Sequence, residues 1–442
     1  MLLINQDLFN KLFIFIIKNV MRNFKENPLK LATVFSGIGA IEFALKRMGV
    51  NHNIVFACDN GDVELNLLEG QDLEEYKRLK KLRSKKQLSD KNDIERIEEL
   101  GKKENQLAED IRNKITSMND KKEKKDFVDN VYKTRTRQTN FVKKAYLSNY
   151  GDLINEDDFH LDIRFLDGTD YKDENIDLLV GGSPCQAFST VGAKYGLNDT
   201  RGTLFYEFAR IVKEVQPRVF IYENVRGLMT HDNGHTWEVI KSVFEDDLNY
   251  RIAEPMILNS SDYGIPQTRR RVFVIGIRDD IECDSFVYPN TIPLKYTMQD
   301  FLEDNCAFGH FNYDENGELI VEKVNGKVDE KFILSQKLRD YVLASGTKGF
   351  KTSTETDLPI ARTLMKMMTQ HHRAGVDNYI TVSKDPLVLR QLSDREALRL
   401  MGFTDDFKIA VSTMQTLRQA GNSIVVDVLM AILHNILKCN AL

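Results

Sequence analysis

"LKLATVFSGIGAIEFALKRMGV", residues 29–50, decides the class of fold. An apolar run ends in a turn carrying Gly37 and Gly39, and a helical pattern follows it. The same alternation continues through "HNIVFACDN", "NIDLLVGG", "TLFYEFARIVKEVQPRVFIYENV" and "RRRVFVIGIR". Strands alternating with helices imply an α/β domain with a mostly parallel sheet. Ligands of such sheets bind beyond the carboxyl ends of the strands. "FSGIG" has two of the three glycines of a dinucleotide fingerprint and lacks the spacing of a phosphate loop. It lets backbone approach a ligand closely. Asp59, after the next strand, is placed to accept a ribose hydroxyl, and a second acid, Asp162, stands in "HLDI". Two acids around one glycine loop suit a nucleoside group without requiring phosphates.

"LLVGGSPCQAFSTVG" (178–192) ends another strand on Gly181, Gly182, Pro184 and the thiol of Cys185. One reading is a small buried hydrophobe at a turn; the other is a nucleophile aimed into a cleft. A catalytic cysteine needs thiolate character and access. A protease would pair it with histidine, yet none of the eight histidines stands at a recognisable spacing. "YENV" instead brings an acid, Glu223, to a neighbouring strand end. In "QTRRRVFVIGIR" strand alternation puts Arg269 and Arg271 on one face and Arg270 on the other. A thiol, a carboxyl and two arginines can therefore converge from different strands.

The 442 residues, 42% hydrophobic and 29% charged, suit a globular chain of two or three domains. Five scattered cysteines without a CxxC pair argue against a disulfide framework or zinc site and for a reducing, cytoplasmic compartment. The apolar core of "LFNKLFIFIIKNV" is too short to span a bilayer, so it reads as an accessory helix or as residues upstream of a start at Met21. Net charge is −5, but residues 71–150 hold 22 Lys and Arg against 15 Asp and Glu. Such local excess, rather than the total, governs phosphate binding. Within 71–140, apolar residues at helical spacing (Leu73, Tyr76, Leu79; Ile94, Ile97, Leu100; Leu107, Ile111, Ile115) read as a helical hairpin. It is expected to be a solvated face whose hairpin proper, 71–130, is dispensable. The run "KTRTRQTNFVKK" (133–144) is its candidate for phosphate contact. From 279 to 390 short strands and glycine turns suggest a separate small domain. Ser393 with Glu396 forms a capping box, and the last helix sets Val425, Val428, Leu429, Ile432 and Ile436 on one face.

Nine blocks in order, "FSGIGAIEFAL", "ACDN", "HLDI", "GGSPCQAFSTVG", "RGTLFYEFARI", "ENVRGL", "YGIPQTRRRVFVIG", "LRLMGF" and "QAGNSIVV", together resemble the C5-cytosine-specific DNA methyltransferases of bacterial or phage restriction-modification systems. The resemblance covers roughly residues 29–60, 141–278 and 360–438. It implies a Rossmann-like catalytic domain over 29–278 that binds S-adenosyl-L-methionine, interrupted by the helical insertion at about 61–140. An extension (1–28) would precede it. A small, mostly β target-recognition domain (279–390) and a C-terminal segment (391–442) returning to the catalytic domain would follow. It implies that Cys185 adds covalently to C6 of a flipped-out cytosine, that Glu223 contacts or protonates N3, and that Arg269 and Arg271 stand near O2. Phe35, Gly37, Gly39, Asp59, Asp162, Ile163, Pro184, Leu204 and Asn422 would bind the cofactor, with no metal required. Gln186 and Ser189 would meet the flipped nucleotide and its neighbours.

Two features depart from the family: Asp59 stands where glutamate is usual, and the insertion falls directly after it, "FVKKAYLSNYG" (141–151) resuming the helix. In "MKMMTQHHRAGVDNY", Lys366, His371, His372 and Arg373 are candidates for DNA contact. The expected partner is double-stranded DNA, bound by a monomer, with a cognate restriction endonuclease as a possible genetic neighbour and no membrane. A tRNA methyltransferase of the same family and a non-catalytic DNA-binding regulator are the alternatives. The length of 279–390 speaks against the first, the intact Pro184–Cys185, Glu223 and Arg271 against the second. A nicotinamide dehydrogenase would share the fold but has no need of Cys185 and Glu223 at strand ends.

Overall fold

A computed structural model describes residues 24, 26–85, 87–184, 204–304, 312–313, 319–321, 326–347, 350–351 and 353–442. Its centre is an eight-stranded sheet of β1 (Leu29–Val34), β2 (His52–Cys58), β3 (Phe159–His160), β4 (Leu178–Gly181), β5 (Val219–Val225), β6 (Tyr250–Ile252), β7 (Met256–Asn259) and β8 (Arg270–Arg278). The order is β3-β2-β1-β4-β5-β8-β6, and β7 also pairs with β8. β1 to β5 run parallel, while β8 lies antiparallel to β5, β6 and β7. Chain order reverses between β1 and β4, which is where an open α/β sheet forms its ligand crevice. The register aligns Val34 with Cys58 on one side and Gly181 on the other, and Gly181 with Tyr222. β1, β2 and β4 thus stop level beside Tyr222, while β5 runs on to Val225, so the glycine loop, Asp59 and Ser183 emerge along one edge next to Glu223.

Strand alternation divides the core into two layers. Leu29, Leu31, Val219 and Ile221 face a layer with α1 (Ala40–Met48) and the C-terminal helix. Ala32, Val34, Phe220 and Tyr222 face the other layer, with Phe205, Phe208 and Phe244. The C-terminal segment returns to α1, where Arg47 donates to both carboxylate oxygens of Asp427 at 3.0 Å. The stretch Thr413–Lys438 is long and apolar enough to cross a membrane, yet 61% of its most apolar window is buried inside the fold. Its apolar face is covered by α1 and its neighbours. The capping box of Ser393 and Glu396 is present in full.

α1 also carries a buried carboxyl. Glu42 is fully enclosed, and accepts from Tyr146 at 2.6 Å and Thr33 at 3.1 Å. Burial pushes it up from 4.5 to about 7, against the lowering effect of those hydrogen bonds. The folded state therefore holds the proton more tightly than the unfolded chain. The stability linked to Glu42 is full below about pH 4.5 and is lost as pH rises towards 7. Glu42→Gln is expected to match the wild type near pH 4.5. Above that window the variant should be more stable by roughly 3 kcal/mol. Thermal melts of both proteins across this range check it; a difference independent of pH contradicts it.

The insertion differs from the expected hairpin. After the cofactor-side loop come three helices, α2 (Gly70–Ser84), α3 (Lys91–Thr116) and α4 (Lys121–Arg135), before α5 (Phe141–Tyr150) resumes the α/β pattern as expected. Leu79, Ile97 and Leu100 bury against one another and Leu68 at the far end. At the near end Ile115, Val128 and Tyr132 pack with Val63, Leu65, Leu67 and Phe165. Lys124 donates to Asp167 at 2.7 Å and Asp170 at 2.6 Å, Lys121 to Asp158 at 2.8 Å, and Lys122 to Asp157 at 3.0 Å. The end of α3 and all of α4 are therefore clamped onto the α/β domain, while α2 and the first half of α3 bury their narrow seam against each other as a largely exposed hairpin, as expected. Arg135 of the basic run is ion-paired with Glu69, and Lys143 with Glu156 at 3.0 Å.

Among the described residues of 279–390 lie three two-stranded hairpins. These are β9 (Asn312–Tyr313) with β10 (Leu319–Ile320), β11 (Gly346–Thr347) with β12 (Phe350–Lys351), and β13 (Tyr379–Lys384) with β14 (Leu387–Gln391). A short helix, Gln336–Leu343, joins them. Leu334, Val342, Ala374, Tyr379 and Leu389 form a separate small core.

Candidate active site

The two glycines before Cys185 have a steric cause. A Cβ on Gly181 would meet Val34 Cγ2 at 2.7 Å and Phe208 at 3.0 Å, and one on Gly182 would meet Glu223 Oε2 at 2.7 Å. No side chain fits between β4 and the strands flanking it, so the chain leaves the sheet beside Glu223. Its exit is then fixed: Ser183 Oγ lies 2.7 Å from the Tyr222 hydroxyl, and Asn224 Nδ2 donates to the Ser183 carbonyl at 2.9 Å. Asn224 was legible only as part of "ENV"; its role here is to hold the stem of the cysteine loop. Pro184 follows, exposed. Cys185, Gln186 and Ser189 lie outside the described residues.

Glu223 and Arg271 meet by register. Arg271 pairs across from Val225, two residues along from Glu223 on the same face, a diagonal neighbour within reach of a long side chain. Arg271 Nε stands 3.1 Å from Glu223 Oε1. Burial raises the Glu223 carboxyl above its usual 4.5, while Arg271 and then Arg269 pull it down. The result is an acid that keeps its proton to higher pH than an exposed carboxylate.

Arg269 is on the same face, as alternation expects, but not beside an open cleft. It is 4% exposed, and its two Nη atoms donate to the carbonyls of Leu364 at 2.9 Å, Gly421 at 3.2 Å and Ser423 at 2.8 Å. Burial first, then the charge of Arg271, push its guanidinium down to about 9, with Glu223 opposing. Arg269 fastens β8 to the segment returning from 279–390 and to the C-terminal helices, and its charge helps to lower the Glu223 pKa. Gln267 does similar work, donating to the Leu400 carbonyl at 2.7 Å and accepting from Leu364 N–H at 2.9 Å.

The glycine loop is strained open for a ligand. Phe35, Gly37 and Gly39 have positive φ of 53°, 56° and 78°. A Cβ on Gly39 would run into the Tyr150 ring, whereas one on Gly37 would meet nothing within 4 Å. Gly39 is thus needed for packing, and Gly37 faces open space that a nucleoside can enter against bare backbone. Asp59 stands next to it: its carboxylate accepts from Gly37 N–H at 2.9 Å and Gly61 N–H at 2.7 Å. Burial raises its pKa despite those bonds. Its further lone pairs suit a ribose diol, so the shorter side chain is brought to the loop rather than left out of reach.

Asp162 caps the turn Ile163–Phe165. Its carboxylate, 5% exposed, accepts from Arg164 N–H at 3.0 Å, Arg164 Nη2 at 2.6 Å and the Tyr132 hydroxyl at 2.8 Å. Burial alone would raise its pKa, but Arg164 and Tyr132 outweigh it and hold it below the usual range. Ile163 is buried beside it, and Leu204, half-buried, borders the layer that contains Phe35. Asn422 ends the helix Thr413–Asn422 with its side chain exposed.

The candidate DNA residues of 365–379 are mostly engaged within the chain. Lys366 pairs with Asp62 at 2.7 Å and His372 with Asp377 at 3.1 Å, while Arg373 lies 5.5 Å from the Tyr341 ring centroid. His371, also half-buried, has its Nδ1 enclosed.

Comparison with known proteins agrees with this geometry. Residues 138–438 match the family described as C-5 cytosine-specific DNA methylase. The chain is 35% identical over 306 residues to the type II methyltransferase M.SsoII of Shigella sonnei, covering 67% of this chain and 71% of that protein. It is 34% identical over 260 residues to the type II methyltransferase M.HhaI of Haemophilus parahaemolyticus, covering 59% and 75% respectively. The fold is similar to the crystal structure of the S. pombe Dnmt2 methyltransferase, with a TM-score of 0.56 at 16% identity over 93% of this chain and 98% of that one. With more than half of its residues matched by that family and about a third of them identical to such relatives, the chain belongs to the C-5 cytosine-specific DNA methylases.

Proposed function

We propose that the chain is a type II modification enzyme, a DNA (cytosine-5-)-methyltransferase that acts on one duplex sequence. The observation that carries this reading is the level ending of β1, β2 and β4 against β5. It sets the stem of the Cys185 loop against the Glu223–Arg271 pair and a nucleoside-sized opening at Gly37. Phe35, Gly37, Asp59, Asp162, Ile163, Pro184, Leu204 and Asn422 would hold S-adenosyl-L-methionine. When bound, that cofactor supplies a methyl group on a sulfonium.

C5 of cytosine is too weak a nucleophile unaided. The Cys185 thiolate forms a bond to C6, the electron pair of the C5–C6 double bond moves to C4–C5, and that of C4–N3 moves onto N3. Glu223 gives its proton to N3, leaving an enamine whose C5 accepts the methyl. Arg271 stabilises the developing negative charge on the O2 side; such a donor is commonly worth about 3–4 kcal/mol. Loss of the C5 proton to water restores the C5–C6 double bond and expels the thiolate, and N3 returns its proton to Glu223. The base must first leave the duplex, at a cost of a few kcal/mol, and Gln186 and Ser189 are the residues we assign to it.

Methyl transfer from labelled S-adenosylmethionine to duplex DNA, compared with tRNA, tests the reading. Incorporation into duplex alone is expected; incorporation into tRNA alone overturns it. A second measurement concerns the backbone. Arg137 is exposed, while Arg135 of the same run is paired with Glu69. Arg137→Ala is expected to weaken cognate and unrelated duplexes equally, and to reduce the slope of log affinity against log salt by about 0.9. Titrations at two salt concentrations decide it, and an unchanged slope means that this run makes no phosphate contact.

A further inference from the structure

We propose that Tyr132, carried by the insertion and not by the α/β core, is a positioning residue for cofactor binding: its hydroxyl locks the Asp162–Phe165 turn at the adenine side of the pocket. The inference rests on the cofactor assignment above, which puts Asp162 and Ile163 at the adenine.

The turn is short and would have several conformations open to it if left to itself. Asp162 caps it by accepting the Arg164 backbone N–H, and Arg164 grips the same carboxylate with Nε and Nη2. All those contacts come from two residues away, so they fix the turn internally without fixing it to anything else. The Tyr132 hydroxyl, 2.8 Å from Asp162 Oδ2, approaches from a helix 30 residues earlier. Arg210 Nη2 of the α/β core donates to the Ile163 carbonyl at 2.6 Å, and Arg112 Nε of the insertion donates to the Arg164 carbonyl at 3.1 Å. The turn is therefore held between the insertion and the catalytic core.

Tyr132 is itself well placed to do this. It is 5% exposed and packed with Val128, Ile115 and Phe165, so its hydroxyl has little access to water. α4 is anchored by Lys124, which is 7% exposed and donates to Asp167 and Asp170, just beyond the same turn. A helix with five lysines in fifteen residues is thus fixed on either side of the segment that lines the pocket. A hydrogen bond to a charged carboxylate is stronger than a neutral one and orients it.

The test is calorimetric titration of S-adenosylhomocysteine into the full chain and three variants, with thermal melts and steady-state kinetics on each. Tyr132→Phe removes the hydroxyl and keeps the ring. It is expected to raise Kd, and KM for S-adenosylmethionine, about tenfold. Its kcat at saturating cofactor should stay within about twofold, the signature of lost binding rather than lost chemistry. Val128→Ala loosens the same helix without touching the carboxylate, and is expected to lower Tm while leaving Kd unchanged. Asp162→Ala should weaken binding at least as much as Tyr132→Phe. If Asp162→Ala leaves Kd unaltered, the cofactor assignment itself fails. If it weakens binding and Tyr132→Phe does not, only the proposal for Tyr132 falls. Equal weakening by Val128→Ala and Tyr132→Phe also overturns it, because general loosening of the insertion would then account for the effect.

Discussion

Cys185→Ala is expected to abolish covalent capture of duplex DNA carrying 5-fluorocytosine at the target position, and to lower methylation by more than about 10,000-fold. Fluorine cannot leave as the C5 proton does, so a wild-type adduct persists once the methyl is transferred and survives denaturation. Cys185 is assigned from its sequence block, and the structure describes the stem that leads to it. β4 ends where Gly181 and Gly182 alone fit, and Asn224 and Tyr222 fix Ser183 two residues before the thiol. Among the other described cysteines, Cys58 and Cys439 are buried, and burial pushes both thiols up, away from thiolate character, while Cys283 is half-buried against Arg251. An undiminished adduct in the alanine variant would sink the assignment.

Glu223→Gln should lower kcat by about 100- to 1000-fold, the range of a lost general acid. S-Adenosylhomocysteine affinity should stay within about twofold of wild type, because the Glu223 carboxyl faces Arg271 and Gly182 rather than the glycine loop. The pH dependence has a definite sign. The protonated carboxyl is the active form, and burial raises its pKa above the ordinary 4.5. The wild-type single-turnover rate should therefore fall as pH rises through that raised value, and the glutamine variant should lack this fall. Rapid-quench measurements on a cognate duplex read both; a variant with wild-type kcat, or the same fall with rising pH in both proteins, contradicts the role.

The α/β pattern was legible because each strand and helix is specified by its own residues. The run at 29–50 becomes β1, a loop of positive φ and α1, and "FVKKAYLSNYG" becomes α5. The pairing of Glu223 with Arg271 was half legible: alternation supplies the face, but only the register of β5 on β8 brings the two together. The third helix of the insertion was hidden by its composition. "KKEKKDFVDNVYKTR" reads as solvated, yet Lys124 and Lys125 are 7% and 4% exposed because acids at Asp167, Asp170 and Asp129 neutralise them. Contacts that span 30 to 95 residues, such as Tyr132 with Asp162 and Arg112 with Glu207, have no local signature. The same holds for Arg269. Its place in "QTRRR" marks it as important, but the carbonyls it satisfies lie 95 to 154 residues away.

Bisulfite sequencing of DNA from cells that express the chain tests the central claim most directly, with the Cys185→Ala variant expressed in parallel. Conversion-resistant cytosines at one fixed position within one recurring sequence are expected with the wild type and not with the variant. Complete conversion throughout the DNA of cells holding soluble, cofactor-binding wild-type protein would contradict the account.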